Sequence, residues 1–355
     1  LDGRINALAI QGLGVVDIGA KLRATPRADG GFGLGGPVQA KLTRLDNEFL
    51  HSLGGGLPMV RGRVELLRDG ELALRDLKLD SPLLTLAGQG VRHRDGSVRL
   101  QGSGRHARYG PVELTLDGRI ERPTVDLMLR RPMDALGLRD VGAHLIPDAR
   151  GYGYVAQGGS TLGAVTARGA ILLPPGGQAV VRVANLAVSG VTASGELRPV
   201  NGGLDGQLGV IGPVTGYVGF RPVDGNQQVQ LKLTANDATF EGPTAIEVRR
   251  GTVDATILLD PTGTTINATA QARGLRIGGI LLGRLAANAD LVNGKGLVRG
   301  SLSGQRGRLF ELQGEAQVEP DRIRLSASGT IDKRAIRLNR PALLTRTEDG
   351  WRLSP

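Results

Sequence analysis

The sequence predicts an all-β fold: a long antiparallel meander curled into an open groove with an apolar interior, interrupted by one short amphipathic helix. Three observations predict it. Aliphatic and charged residues alternate at a period of two almost from end to end, the spacing that sends successive side chains to opposite faces of a strand. Short turn signals punctuate the pattern, among them Arg68-Asp69-Gly70, Arg94-Asp95-Gly96, Asp224-Gly225-Asn226, Asp260-Pro261-Thr262-Gly263 and Asn293-Gly294. Links this short join antiparallel neighbours. Glycine is abundant, at 56 residues, whereas Phe, Tyr and Trp number five, four and one. That leaves few of the aromatic anchors that fill sandwich cores.

Residues 1–36 read as the first groove strands, opening on Leu1-Asp2-Gly3-Arg4-Ile5, a phrase repeated letter for letter at Leu116–Ile120. Looser copies fall at Leu204–Leu208, Leu302–Gly304 and Ala327–Ile331. Each places a glycine inside a strand, so Gly3, Gly118, Gly206, Gly304 and Gly329 are expected to bend the wall. Glycine there weakens a strand and marks a bend, a bulge or a close approach. A gap left for a ligand is the second reading. The copies are unevenly spaced, which excludes a strict short-period solenoid.

Residues 37–56 break the pattern. Val38, Leu42, Leu45, Phe49 and Leu53 recur at steps of four and three, with Lys41, Arg44, Asn47, Glu48 and His51 between them. Pro37 suits a first helical turn and Gly54–Gly56 a stop, so the spacing predicts a helix over 37–53. Residues 57–355 then read as continuous groove strands, forming one elongated repetitive domain with the rest.

The residues expected to line the groove are the large aliphatics of one parity. Leu72, Leu74, Leu77, Leu79, Leu84 and Leu86 come first. Val112, Leu114, Leu116, Ile120, Val125, Leu127 and Leu129 follow, with Glu113, Thr115, Asp117, Arg119, Asp126 and Arg130 on the opposite parity. Val229, Leu231, Leu233, Ile257, Leu259, Ile323 and Leu325 complete the set. Some 25 strands stacked at about 4.8 Å would make a sheet on the order of 120 Å long. Such a sheet must fold over its aliphatic face, either narrowly as a filled sandwich or widely as a lumen. Residue patterns alone leave both open.

Chemistry motifs are sparse. Gly31-Phe32-Gly33-Leu34-Gly35-Gly36 matches G-x-G-x-x-G, but antiparallel hairpins follow it rather than the βαβ unit a dinucleotide site requires. A flexible loop is the expected reading. His51, His93, His106 and His144 have no metal-ligand spacing, and cysteine is absent, so no metal site or cofactor is expected. Asp117 with Glu121 or Asp126 could form an acid pair, but these residues lie among arginines on the solvated parity. We therefore expect no enzymatic activity. The net charge of +10 is spread along the strands without stacking aromatics, which argues against a nucleic-acid partner. No apolar stretch is long enough for a membrane-spanning helix.

The glycine-rich meander with its L-D-G-R-I units, the segment R-L-D-N-E-F-L-H-S-L-G-G-G-L-P at Arg44–Pro58, and the segment G-T-I-D-K-R-A-I-R-L-N-R-P-A at Gly329–Ala342 resemble the TamB family. TamB proteins are inner-membrane subunits of the translocation and assembly module and belong to the AsmA-like superfamily. The resemblance covers essentially the whole chain and is closest in register to alphaproteobacterial members. It implies a taco-shaped β-groove in the periplasm that carries phospholipid acyl chains between the inner and outer membranes. It also implies a BamA-like outer-membrane barrel, TamA, as a partner reached through other parts of the protein. An alternative is a scaffold assisting assembly of outer-membrane proteins such as autotransporters. Because family members are longer than this chain and Leu1 is not a Met, we expect an internal piece whose inner-membrane tether lies elsewhere.

Overall fold

The computed structural model describes residues 2–354 except 11–13, 27–31, 46–50, 52, 53, 108, 121, 133–136, 175, 176, 202, 242–244, 261, 262, 278, 279, 348 and 349. The described residues form 27 β-strands, numbered β1 to β27 in chain order, and every register recorded between them is antiparallel. The chain comprises two compact units. The first is Leu1–Thr161 with Val165–Ala184 and Arg198–Asn201; the second is Leu162–Ala164, Asn185–Leu197 and Gly202–Pro355. The division falls near residues 161–202, away from the segment 37–56 expected to separate groove strands.

In the first unit the meander runs through β4 (Phe32–Leu45), β5 (Met59–Leu66), β6 (Leu72–Asp80), β7 (Leu84–Arg92), β8 (Ser97–His106), β9 (Gly110–Arg119), β10 (Thr124–Leu129), β11 (Arg139–Asp148) and β12 (Gly151–Ser160). Each pairs with the next through β11–β12. In the second unit it runs through β16 (Gly203–Ile211), β17 (Val214–Val223), β18 (Asn226–Glu241), β19 (Ala245–Asp260), β20 (Gly263–Ile277), β21 (Ile280–Val292), β22 (Lys295–Arg306), β23 (Arg308–Glu319) and β24 (Arg322–Ile331). β26 (Ala342–Thr347) then pairs with β24. Among the described residues no ladder returns a unit's last strand to its first, so each sheet is open.

Pro37–Leu45 are strand, not helix. They extend β4, with Val38, Ala40 and Leu42 turned inward and Gln39, Lys41 and Thr43 turned out. A step of four is also an even step, so Val38 and Leu42 satisfy a strand as well as a helix. The ladder to β5, from Gly35↔Glu65 to Lys41↔Met59, decides between them. Helical conformation among the described residues is confined to His51 and Gly54, with the Gly55 amide donating to the His51 carbonyl at 2.8 Å. Phe49 and Leu53 lie outside the described residues. Phe32–Gly36 are likewise strand rather than the expected loop: Phe32–Gly35 pair with β3 (Arg23–Pro26), and Gly35 and Gly36 also pair with β5.

Glycine shapes these sheets where a side chain would collide. A Cβ at Gly329 (φ +157°) would overlap the Glu311 carbonyl oxygen on β23, and one at Gly206 (φ +138°) would overlap that of Glu196. At Gly304 the obstruction is the Leu281 carbonyl and the Phe310 ring. Gly118 has φ +114° but no such obstruction, and Gly3 has neither a positive φ nor an atom within 4 Å of its Cβ position. Close approach thus explains Gly206, Gly304 and Gly329, a left-handed backbone explains Gly118, and neither applies to Gly3. Replacing Gly329 by Ala should cost about 1–3 kcal/mol, whereas Gly3→Ala should stay within roughly 0.5 kcal/mol. Urea unfolding midpoints of the two variants would show the contrast, and equal shifts would contradict it.

Candidate functional site: an uncovered apolar face

Hydrophobic alternation becomes a set of cross-strand rows. In the first unit one row runs Leu79, Leu86, Gly104, Val112, Leu129 and Val141. A second runs Leu77, Gly88, Gly102, Leu114, Leu127, Ala143 and Ala156. A third runs Leu74, Gly90, Leu100, Leu116, Val125, Leu145 and Tyr154. Leu72 and Leu74 share a face with Leu77 and Leu79 despite their opposite parity. Arg75 and Asp76, the latter at φ +51°, form a bulge that absorbs the odd residue. Leu84 faces His106, which is 3% exposed and stacks on Tyr109 with ring centroids 4.5 Å apart.

In the second unit the rows are longer. Val229, Ile257, Ile266, Leu291, Gly296, Val318, Ile323 and Leu344 form one. Beside it lie Leu231, Ala255, Ala268, Ala289, Val298, Ala316, Leu325 and Ala342. Next come Leu233, Val253, Ala270, Ala287, Gly300, Gly314 and Ala327, and then Ala235, Gly251, Ala272, Leu285, Leu302, Leu312 and Gly329. The central two rows are therefore mostly Ala and Gly, between a row of Val, Ile and Leu on one side and, on β21 to β23, Leu285, Leu302 and Leu312 on the other. The result is a trough floored by methyl groups and walled by larger aliphatics. Leu259 ends its strand opposite Gln227, a buried amide that donates to the Leu204 carbonyl at 3.1 Å.

Neighbouring side chains half-bury this face, and among the described residues no further strand or helix covers it. Of the lining residues expected from sequence, Val112, Val229 and Ile257 are buried, and the others within strands are intermediate. Val253, in the middle of its row, is 39% exposed. Ile120 is a correction. It lies beyond the end of β9 in a turn and is 45% exposed, because Gly118 rotates the chain away before parity can carry Ile120 onto the face. The protein exposes 21635 Å², whereas two compact units sharing its mass would expose about 16,000 Å².

The opposite face is polar and built on charge complementarity. Arg99 meets its direct cross-strand neighbour Asp117 at 2.6 Å, and Arg299 meets Glu315 at 3.0 Å. His144 bonds Asp126 at 2.6 Å. Asp117 is thus held by an arginine and Asp126 by a histidine on the exposed face; Glu121 lies outside the described residues. No cluster of His, Asp or Glu suited to a metal ion occurs among the described residues. Burial raises the phenol pKa of Tyr154, whose ring caps the third row of the first unit.

Reading large aliphatics alone missed the alanine rows, although their alternation was visible at Ile266/Ala268/Ala270/Ala272 and Leu285/Ala287/Ala289/Leu291. Leu100, whose alternation with Val98 is legible in the sequence, and Leu145 and Tyr154 also stand in these rows outside the expected lining. No family profile, curated protein or solved structure matches the chain. The class the geometry defines is an open antiparallel β-meander with one uncovered apolar face.

His93 illustrates the structural role of the histidines. Its ring bonds Glu71 at 2.6 Å, and this hydrogen bond raises its pKa above the ordinary 6.5. A raised native pKa stabilises the fold below the unfolded value, and that contribution is lost as pH rises through the native one. An NMR titration should give His93 a midpoint above 6.5 that falls in Glu71→Gln. An unchanged midpoint in the variant would remove Glu71 as the cause.

Proposed function

We propose that this chain is a conduit segment for phospholipid: acyl chains lie along the apolar rows while headgroups stay in water, with no reaction and no cofactor. The carrying observation is the uncovered aliphatic face, above all the trough of Ala268, Ala270, Ala287 and Ala289 between larger side chains. Covering apolar surface is worth about 25 cal/mol per Å², or roughly 0.8 kcal/mol for each buried methylene. An exposed patch of this extent signals a partner. A hydrocarbon chain fits a lining that is smooth, aliphatic and free of hydrogen-bonding demands. The resemblance to TamB proteins supplies the setting: a periplasmic bridge between inner and outer membranes, tethered at the inner one and meeting a BamA-like barrel through parts outside this chain.

The lining acts collectively, so a single Leu→Ala should leave lipid carriage nearly unchanged. Leu114→Arg and Leu127→Asp put a charge where no counter-charge waits, and burying it unpaired beneath acyl chains is costly. Ala268→Phe fills the trough floor without adding charge. Each of the three should reduce the phospholipid retained by purified protein several-fold while circular dichroism stays that of β-sheet. Photo-crosslinkers at Leu114 and Ala268 should capture phospholipid in cells. Capture of outer-membrane polypeptides instead would favour a strand-templating scaffold, and well-folded charge variants with undiminished lipid would overturn the conduit.

A further inference from the structure

Four neighbouring strands of the second unit each carry one extra residue at the same level. The apolar positions step by three there instead of two: Ala235 to Ala238 on β18, Gly251 to Val248 on β19, Ala272 to Leu275 on β20, and Leu285 to Leu282 on β21. Asp237 at φ +46° and Gly274 at φ +62° mark the break. Aligned bulges of this kind crease a sheet, and each strand turns two consecutive residues outward at the crease. The outward pairs include Arg249 and Arg250 on β19, Arg273 on β20 and Arg284 on β21.

Register makes this group unusual. Arg250 lies directly opposite Arg273, and Arg273 directly opposite Arg284. Like charges facing across strands destabilise a sheet; elsewhere arginine faces acid, as Arg99 does Asp117, Arg276 does Glu247 and Arg299 does Glu315, or, where Arg63 faces Arg75 and Arg306 faces Arg308, one of the two has an acid partner, Glu65 for Arg75 and Asp332 for Arg308. The side chains of Arg249, Arg250, Arg273 and Arg284 form no ion pair or hydrogen bond among the described residues. Two concavities, of about 720 and 850 Å³, adjoin the crease and share Arg250 and Arg273 as lining, and the smaller is also bounded by Ala235, Gly251, Ala272, Leu285, Leu302 and Leu312. Asp237 and Glu247 line the larger and Glu311 the smaller, and Glu247 is occupied by Arg276 at 3.3 Å. The balance at the crease stays cationic.

We propose that the crease formed by Arg250, Arg273 and Arg284 is a binding site for a phosphate oxyanion, presented as a phosphate ester. Guanidinium groups offer paired donors that match phosphate oxygens, and a bound dianion or diester relieves the repulsion along the row. The hydroxyls and amides of Thr252, Gln271 and Ser303 around the smaller concavity supply neutral donors for the ester's remaining oxygens. The three arginines are exposed and stand on the parity opposite the aliphatic rows, and the proposal does not depend on the conduit reading.

Calorimetric titration of the full chain with inorganic phosphate and with glycerophosphoglycerol, at constant ionic strength, tests the proposal, alongside flotation with vesicles of phosphatidylglycerol or phosphatidylcholine. Saturable binding of either soluble probe, weakened at least tenfold in the Arg250→Ser/Arg273→Ser/Arg284→Ser variant and less than twofold in Arg299→Ser, supports a site for free phosphate esters. Anionic vesicles binding where soluble probes do not, with the same dependence on the three arginines, assigns the phosphate to a lipid headgroup. Phosphate should also raise the Tm of the wild type over chloride, and not that of the triple variant. No binding by any probe, or binding indifferent to the triple substitution, would overturn the proposal.

Discussion

Each sheet is held by hydrogen-bonded ladders and by aliphatic rows that touch only their own neighbours. Cross-strand pairs such as Leu114 with Leu127 or Ile257 with Ile266 contribute a few tenths to about 1 kcal/mol apiece. They shield the sides of the side chains, leaving most of the row residues half-buried and Val253 exposed. Every other feature answers to that constraint. The polar face must carry charge in complementary pairs to keep the open sheet soluble, the bulges must hold the aliphatic set on one face, and the apolar tips need a partner from outside the rows.

Small residues decide what kind of partner fits. Had the central rows of the second unit been leucine, the face would be a ridge suited to packing against another sheet. Alanine and glycine at Ala268, Ala289, Gly300 and Gly314 lower the middle by several methylenes relative to Leu285 and Leu302. A flexible chain of hydrocarbon can fill such a depression without a matching shape. Glycine serves a second end at Gly206, Gly304 and Gly329, where adjoining backbone comes too close for any side chain.

Much of this could be read in the sequence, and the failures have specific causes. The hairpin at Asn293-Gly294 was legible because both residues take positive φ, 54° and 70°, the property that the dipeptide advertises. The alternation through Val229–Leu233 transfers directly to its row. Pro37–Leu45 misled because even spacings serve two periods, and only pairing with β5 distinguishes them. Ile120 misled because parity was carried across Gly118, where the chain turns. The arginine crease was invisible for a related reason. Its residues come from three strands, and an extra residue in each looks locally like a lapse in pattern rather than a feature shared across a sheet.

The central claim is that the apolar face is occupied by lipid when the protein is at work. Native mass spectrometry of the chain purified from cells without detergent, followed by lipid extraction, measures this directly. Phospholipid retained at one or more molecules per chain, released by organic solvent with a gain in exposed apolar surface, is the predicted result. A lipid-free chain whose apolar rows are fully protected from solvent would contradict it, and would mean that the face closes upon itself.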